Sequence, residues 1–176
     1  GKSGAAKNVV FALEPGMSQQ SHVRPSVQSE IALLEEDLSR YDCIFLCNVG
    51  RFGRDEANLL HKFLEQGGGV VVFLGDQVQA TNYNSMLGTE AGELRILPAQ
   101  LSDPVPLGEY FFDPLDYRHP IVEPFRGHER SGLLTTPIWK YVKLTPLADG
   151  DVRTALAFEN RDPAVLEATH GRGHVI

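Results

Sequence analysis

Two short runs of apolar residues, at positions 41–49 and 70–74, constrain the fold of this chain more than any other feature. The first run reads Tyr-Asp-Cys-Ile-Phe-Leu-Cys-Asn-Val, and the second reads Val-Val-Val-Phe-Leu. Near-continuous apolar runs of this length are typical of strands that are buried on both faces of a parallel sheet. The sequence therefore predicts two buried strands, one on each side of a short connection.

The connection between the two runs has the pattern of a helix. Within 55–66, acidic residues occupy the first turn, and Leu59, Leu60, Phe63 and Leu64 form one apolar stripe. The three glycines at 67–69 can terminate the helix and lead directly into the second strand. A strand, a helix, a glycine turn and a strand make a βαβ unit, whose strands must run parallel. We therefore expect an α/β fold with a doubly wound core.

The rest of the chain gives weaker signals. Residues 5–14 carry apolar residues at helical spacing, Pro25 restricts 22–29 to an edge strand, and 31–38 predicts a helical turn. The second half predicts an antiparallel extension of the core. Its short strands are expected at 94–99, 138–144, 152–158 and 164–168. A hairpin turn is expected at 159–163, and a turn into a last strand at 171–173. Residues 102–130, rich in proline, aromatic residues and charge, predict a long ordered loop.

Composition limits the classes of function. Of 176 residues, 42% are hydrophobic and 22% are charged, which is ordinary for one globular domain. We expect a core at about 1–100 and an extension at about 101–176. The net charge of −7, without a basic cluster, disfavours nucleic acid as a partner. No apolar run is long enough to span a bilayer, so we expect a soluble unit, and both ends suggest a fragment cut from a larger protein.

The cysteines and the histidines do not predict a catalytic or metal centre. Cys43 and Cys47 lie in the first apolar run, so we expect them to be buried and inert, and too far apart to form a disulfide bond. The six histidines lack the close spacing of metal ligands. Asp113, Asp116 and His119 could form a cluster, but the same residues suit a solvated loop capped by side-chain hydrogen bonds. We expect no metal and no cofactor.

Polar residues follow the carboxyl ends of both predicted core strands. In an open parallel sheet, ligands collect at these strand ends. The candidate ligand-binding residues are therefore Arg51, Asp76, Gln77 and Asn82. Two interpretations of Asp76 remain open: its carboxylate faces a ligand, or it caps the following segment.

Several of these segments together resemble a known family. Residues 41–49, 60–66, 67–76 and Tyr83-Asn84, followed by 119–121, 139–144, 164–167 and 171–173, resemble the class I glutamine amidotransferase-like domain of bacterial membrane proteins of the aerotolerance-regulator (BatA-type) group. The resemblance implies a flavodoxin-like parallel sheet flanked by helices, and a parent protein with transmembrane helices and a von Willebrand factor A-type domain. It also implies a first core strand upstream of Gly1.

The resemblance also defines what is missing. Class I amidotransferases carry a cysteine nucleophile at the turn between a strand and a helix, and 73–77 occupies the analogous place without Cys, Ser or Thr. We therefore expect a non-catalytic domain that binds a protein partner, other domains of its parent or a ligand. Two alternatives remain: a hydrolase or metal-dependent enzyme that assembles Asp76 and His119, and a structural or oligomerisation module.

Overall fold

A computed structural model describes residues 4, 6–14, 23–128, 132–148 and 151–176. It contains a six-stranded sheet, a two-stranded sheet and four α-helices. The helices are α1 (Lys7–Leu13), α2 (Ala32–Glu35), α3 (Arg54–Glu65) and α4 (Ala80–Met86). The strands are β1 (Cys43–Cys47), β2 (Gly69–Phe73), β3 (Ala99–Pro104), β4 (Phe112–Asp113), β5 (Val142–Pro146), β6 (Val152–Phe158), β7 (Pro163–His170) and β8 (Gly173–Val175).

The predicted βαβ unit is present. β1 and β2 pair in parallel, with Ile44 opposite Val70, and α3 connects them. The helix begins where the Glu56 carboxylate accepts a hydrogen bond from Gly53 N–H, and Asp55 and Glu56 place negative charge in its first turn. It ends where Gly67 N–H donates to Leu64 O, and the glycine turn then leads into β2.

The last strand joins the parallel and antiparallel parts of the sheet. The strand order is β1-β2-β8-β7-β6-β4, in which β8 runs parallel to β2 and antiparallel to β7. β6 then pairs antiparallel with β7 and with β4. The chain therefore has an α/β fold with a mixed sheet, and the strands predicted at 152–158 and 164–168 of the antiparallel extension belong to that sheet. β3 and β5 form a separate antiparallel pair.

The core lies between α3 and one face of the sheet. Leu60 and Leu64 of α3 are fully buried in the same cluster as Leu46, Val70 and Val175 of the strands. Burying each of these side chains stabilises the fold by about 1.5–3 kcal/mol. The apolar stripe that predicts α3 is therefore also the main contact between the helix and the sheet.

The prediction that the core strands are buried on both faces is wrong. Cys43 is exposed and Cys47 is half-buried. Phe45 and Phe73 are 36% and 45% exposed, and their rings stack with centroids 6.3 Å apart. Alternation places these residues on the face opposite α3. The apolar pattern could not show that this face of β1 and β2 would remain uncovered within the described residues, and the same fact overturns the expected burial of the cysteines.

Other differences concern the edges of elements. Residues 23–29 form no strand, and His22 lies outside the described residues. The strand predicted at 94–99 begins only at Ala99, because 89–94 forms a 3₁₀ helix.

Of the strand predicted at 138–144, Ile138 makes one isolated bridge to Tyr110, and β5 begins at Val142. Residue 5 is outside the described part, so the helix predicted at 5–14 is confirmed over Lys7–Leu13.

Truncating Leu60 tests the contribution of α3. Because this side chain is fully buried between the helix and the sheet, Leu60→Ala should lower the free energy of unfolding by about 2–5 kcal/mol. Urea denaturation followed by circular dichroism measures the loss. Leu107→Ala is the matched control, since Leu107 is 80% exposed and its truncation should leave the denaturation midpoint almost unchanged. Equal losses in the two variants would contradict this account of the core.

Candidate functional site

Asn48 connects the two loops that follow β1 and β2. Its Nδ2–H donates to Asp76 Oδ1 over 2.8 Å, and its Oδ1 accepts from Gln77 N–H over 3.0 Å. Its backbone has a φ of +54°, a left-handed conformation that asparagine tolerates better than most residues. The Asn48 side chain thus uses both its donor and its acceptor to hold the loop after β2 against the end of β1.

The glycine at the end of β2 makes room for this contact. A Cβ atom on Gly75 would lie 2.5 Å from Asn48 Oδ1, closer than any packed side chain allows. Asp76 follows at once, and its carboxylate accepts the hydrogen bond from Asn48 described above. One oxygen of the Asp76 carboxylate thus contacts a side chain in the loop after the neighbouring strand, and the Asp76 side chain is exposed.

Asn82 has a similar role at the start of α4. Its Oδ1 accepts from Phe52 N–H over 2.7 Å, and its Nδ2–H donates to Phe52 O over 3.0 Å. Next to it, Tyr83 OH donates to Val49 O over 2.6 Å. Burial, with a smaller effect of the charge of Glu30, raises the pKa of Tyr83, so the phenol stays protonated and able to donate. α4 is thereby bonded to the loop after β1.

The other two candidate residues lie free on the rim of these loops. Arg51 and Gln77 are exposed. Gln77 takes part in the network through its backbone N–H, and within the described residues the Arg51 side chain makes no hydrogen bond or ion pair. We call this surface the loop rim: the exposed residues Arg51, Asp76 and Gln77, together with the half-buried Asn48 and Asn82. It presents a cationic group, a carboxylate and an amide to solvent on a backbone held by side-chain hydrogen bonds.

The thiols nearest to this surface are not activated. Partial desolvation raises the pKa of Cys43 and of Cys47, so both thiols are protonated at neutral pH. Both lie within β1 and not in the loop that follows it. A protonated thiol is a poor nucleophile, so neither cysteine is activated.

The cluster proposed from Asp113, Asp116 and His119 does not form. Asp113 accepts from Leu115 N–H over 2.9 Å, which is the loop-capping alternative, and Asp116 pairs with Arg118. His119 instead contacts a residue of β7. Among the described residues no group of three or more histidine, cysteine or acidic side chains could hold a metal ion.

The partner of His119 is Glu167. His119 Nε2 lies 2.7 Å from Glu167 Oε2, and His119 Nδ1 accepts from Ile121 N–H. In the neutral ring this leaves the proton on Nε2, where it bonds to the carboxylate. His174 Nδ1 lies 3.7 Å from the other oxygen of Glu167. The contact fastens the long loop to the sheet, and it involves neither Asp76 nor the loop rim residues.

Two further histidines, His61 and His170, contact each other. The rings of His61 on α3 and His170 at the end of β7 meet edge to face, with centroids 4.8 Å apart. His61 also lies 3.6 Å from the Glu65 carboxylate. Burial, and then the nearby His61, lowers the pKa of His170. The neutral imidazole is therefore the form that fits this contact.

Sequence reasoning missed three features: Asn48, the His119–Glu167 contact and the exposed pair Phe45–Phe73. Asn48 had a usable signal, since an asparagine directly after a buried strand often adopts a left-handed turn conformation. The other two had none, because His119 and Glu167 are far apart in the chain, and exposure depends on what covers a face.

Comparison with known proteins supports the fold alone. No protein-family model and no curated protein matches the chain. Two solved structures from Salmonella typhimurium are similar: the cytoplasmic protein STM1381 (20% identity, TM-score 0.59) and the cytoplasmic protein STM3548 (18% identity, TM-score 0.60). The matches cover 77% and 85% of this chain, which spans only 59% and 63% of those two proteins. None of the helices in the described residues is long and apolar enough to cross a membrane.

Substitutions at Asn48 test the connection between the loops. Asn48→Ala removes two hydrogen bonds and leaves an alanine at a positive φ, which alanine tolerates poorly. It should therefore lower the free energy of unfolding by about 2–4 kcal/mol. Asn48→Gly is the matched variant: it removes the same bonds and relieves the backbone, so it should be the more stable of the two. Thermal unfolding measures both. An alanine variant as stable as the parent would contradict the assignment.

The His61–His170 pair predicts a dependence of stability on pH. Because the folded-state pKa of His170 is lowered from 6.5, the unfolded chain binds a proton at a higher pH than the folded chain does. The stability from neutral His170 is fully present above about pH 6.5 and is lost as pH falls through the lowered folded value.

Urea denaturation from pH 8 down to about pH 5 measures this effect. The loss of stability on acidification should be smaller in His170→Gln, whose side chain does not titrate. His128→Gln, a substitution in an exposed loop, is the control. A parent and a His170→Gln variant with the same pH profile would show that His170 is not responsible.

Proposed function

We propose that this chain is a non-catalytic interaction domain, with a fold like that of the class I glutamine amidotransferases, from a membrane-anchored bacterial protein. The observation that carries the proposal is the hydrogen-bonded state of the strand ends. Where an enzyme of this fold class would present free acid, base or nucleophile, Asn48, Asp76 and Asn82 are bonded to one another's loops. The side chains of Asn48, Asp76 and Asn82 therefore hold the loops after β1 and β2 in place.

A rigid surface with few free polar groups suits protein recognition. Arg51 and Gln77 project from backbone that hydrogen bonds hold in place, so a partner has to order these two side chains but not the loops that carry them. Arginine is enriched at the energetic centres of protein interfaces because it combines charge, several donors and a flat face. We therefore assign partner binding to the loop rim, with an acidic or carbonyl-rich surface as the partner's side.

The resemblance to the BatA-type group supports a parent protein with a membrane anchor, and a soluble domain that meets its partner beside the membrane. The two Salmonella proteins share the fold at 20% identity or less, and each is longer than the matched region. They support the α/β architecture and carry no argument about the partner.

Charge reversal on the loop rim tests the proposal. The domain, immobilised as bait, should retain a defined set of proteins from a bacterial membrane extract, and Arg51→Glu should reduce that retention about tenfold or more, which corresponds to 1.4 kcal/mol. Arg24→Glu is the matched control, since Arg24 is an exposed arginine outside the loop rim. Quantitative mass spectrometry of the retained proteins compares the three baits. Retention that is equal for Arg51→Glu and Arg24→Glu would contradict this assignment.

An activity measurement tests the main alternative, a hydrolase. The purified chain should hydrolyse glutamine and p-nitrophenyl acetate no faster than buffer does. Hydrolysis that disappears in His119→Ala, or in Asp76→Asn, would refute the non-catalytic proposal, because both residues would then act on a substrate instead of on their structural partners. Thermal unfolding of each variant shows whether a loss of activity is a loss of fold.

A further inference from the structure

Three consecutive residues of the long loop have a left-handed backbone. Leu115, Asp116 and Tyr117 have φ values of +50°, +59° and +55°. In this region the Cβ atom crowds the following carbonyl oxygen, so residues other than glycine normally adopt it singly. The other two such residues in the described part of the chain, Asn48 and Arg161, do occur singly. The turn at 115–117 is therefore strained at three neighbouring positions.

This turn lies in a segment that crosses the sheet. Asp113 belongs to β4, which pairs with β6 at one edge, and the turn lies against β6. His119 then contacts Glu167 of β7, the strand on the far side of β6. Ala168 belongs to the core beneath α3, so alternation places Glu167 on the opposite face. We call residues 114–122, which cross this face, the strap.

Hydrogen bonds satisfy the backbone of the turn. Asp113 Oδ1 accepts from Leu115 N–H over 2.9 Å. The Arg126 guanidinium donates to the carbonyl oxygens of Asp116 and Tyr117 over 3.2 and 2.7 Å. Arg126 is exposed, so water competes for these bonds and each contributes little. The bonds define the shape of the turn, but they do not anchor it to the sheet.

The contact between His119 and Glu167 anchors the strap. Nε2 lies 2.7 Å from the carboxylate, and the two side chains are 14% and 24% exposed. By contrast, the ion pair of Arg118 with Asp116 is 81% and 77% exposed. Polar contacts that are withdrawn from water are screened less and hold more strongly. Just beyond the histidine, Val122 is 2% exposed, which fixes the end of the strap.

The strain and the anchor act against each other. Strained backbone persists only where its surroundings over-determine it. Glycine at 115–117 would adopt the same turn without crowding, yet the chain has Leu, Asp and Tyr there. When the anchor breaks, these residues can return to favoured backbone conformations, and closing the strap again restores the strain. The strain therefore lowers the free energy that opening requires.

We propose that the strap is a strained conformational switch, which the His119–Glu167 contact holds closed and which opens as a unit when that contact breaks. Opening frees the Glu167 carboxylate and uncovers the face of β6 and β7 that the strap crosses. The open state is a minor population of the parent chain, on the order of 0.1–10% of molecules. This surface is separate from the loop rim, so the inference goes beyond the proposed function.

Limited proteolysis of the full chain tests the anchor. Trypsin cleaves after Arg118 when the strap is open, so Glu167→Ala and His119→Ala should each raise the rate of that cleavage about tenfold or more. His174→Ala is the matched control: Nδ1 lies 3.7 Å from the other oxygen of the same carboxylate, outside the strap, and cleavage should stay at the parent rate. Cleavage after the exposed Arg24 should not change in any variant, which separates opening of the strap from unfolding.

A pair of substitutions at Asp116 tests the strain and leaves the anchor intact. Asp116→Gly and Asp116→Ala remove the same exposed ion pair, but only glycine relieves the left-handed backbone. Hydrogen exchange at Ile121 and Val122, whose amides bond to His119, reports opening away from the substitution. Exchange should be about fivefold slower in the glycine variant than in the alanine variant. At an ordinary loop position the order is the reverse, because glycine loosens the backbone.

Combining the substitutions tests whether strain and anchor belong to one switch. In a Glu167→Ala background the strap is already open, so the difference between Asp116→Gly and Asp116→Ala should fall below about twofold. Exchange that is equal in the two Asp116 variants, or faster with glycine, overturns the proposal. Cleavage after Arg118 that stays at the parent rate in Glu167→Ala and His119→Ala overturns it as well. If cleavage after Arg24 shows that the anchor variants unfold, the Asp116 pair alone decides.

Discussion

The pairing of β8 with β2 holds the two halves of this fold together. β8 is three residues long, yet it is the only strand of the described sheet that has a parallel neighbour on one side and an antiparallel neighbour on the other. Gly173 allows it to approach the end of α3: a Cβ atom there would lie 2.6 Å from Leu64 O. β8 thereby joins the βαβ unit and the β6–β7 hairpin in one sheet.

The loop rim depends on the parallel pairing of β1 with β2. β1 and β2 end side by side because they are parallel and in register, and only then can one asparagine bridge the loops that follow them. Polar residues at these strand ends are expected in any α/β protein. Here the hydrogen bonds of Asn48, Asp76 and Asn82 go to other loops of the chain, and Arg51 and Gln77 are exposed beside them.

The two faces of the sheet differ in how they are covered. α3 seals the face that carries Leu46 and Val70, whereas the face with Phe45 and Phe73 stays open over β1 and β2. Toward β7, the long loop reaches this second face and is fastened there through His119 and Glu167.

The local pattern of the chain determined its central elements. The apolar runs, the stripe of α3 and the turns at 159–163 and 171–173 predict β1, β2, β6, β7 and β8 because each signal lies within a few residues. What covers a strand, and which polar groups meet, depends on residues distant in the chain. Burial of Cys43, the strand predicted at 22–29 and the cluster around His119 could not be judged from sequence for this reason. Only the tertiary structure decided that Asn48 contacts Asp76, that Glu167 contacts His119, and that Phe45 and Phe73 are exposed, since each depends on which elements pack together.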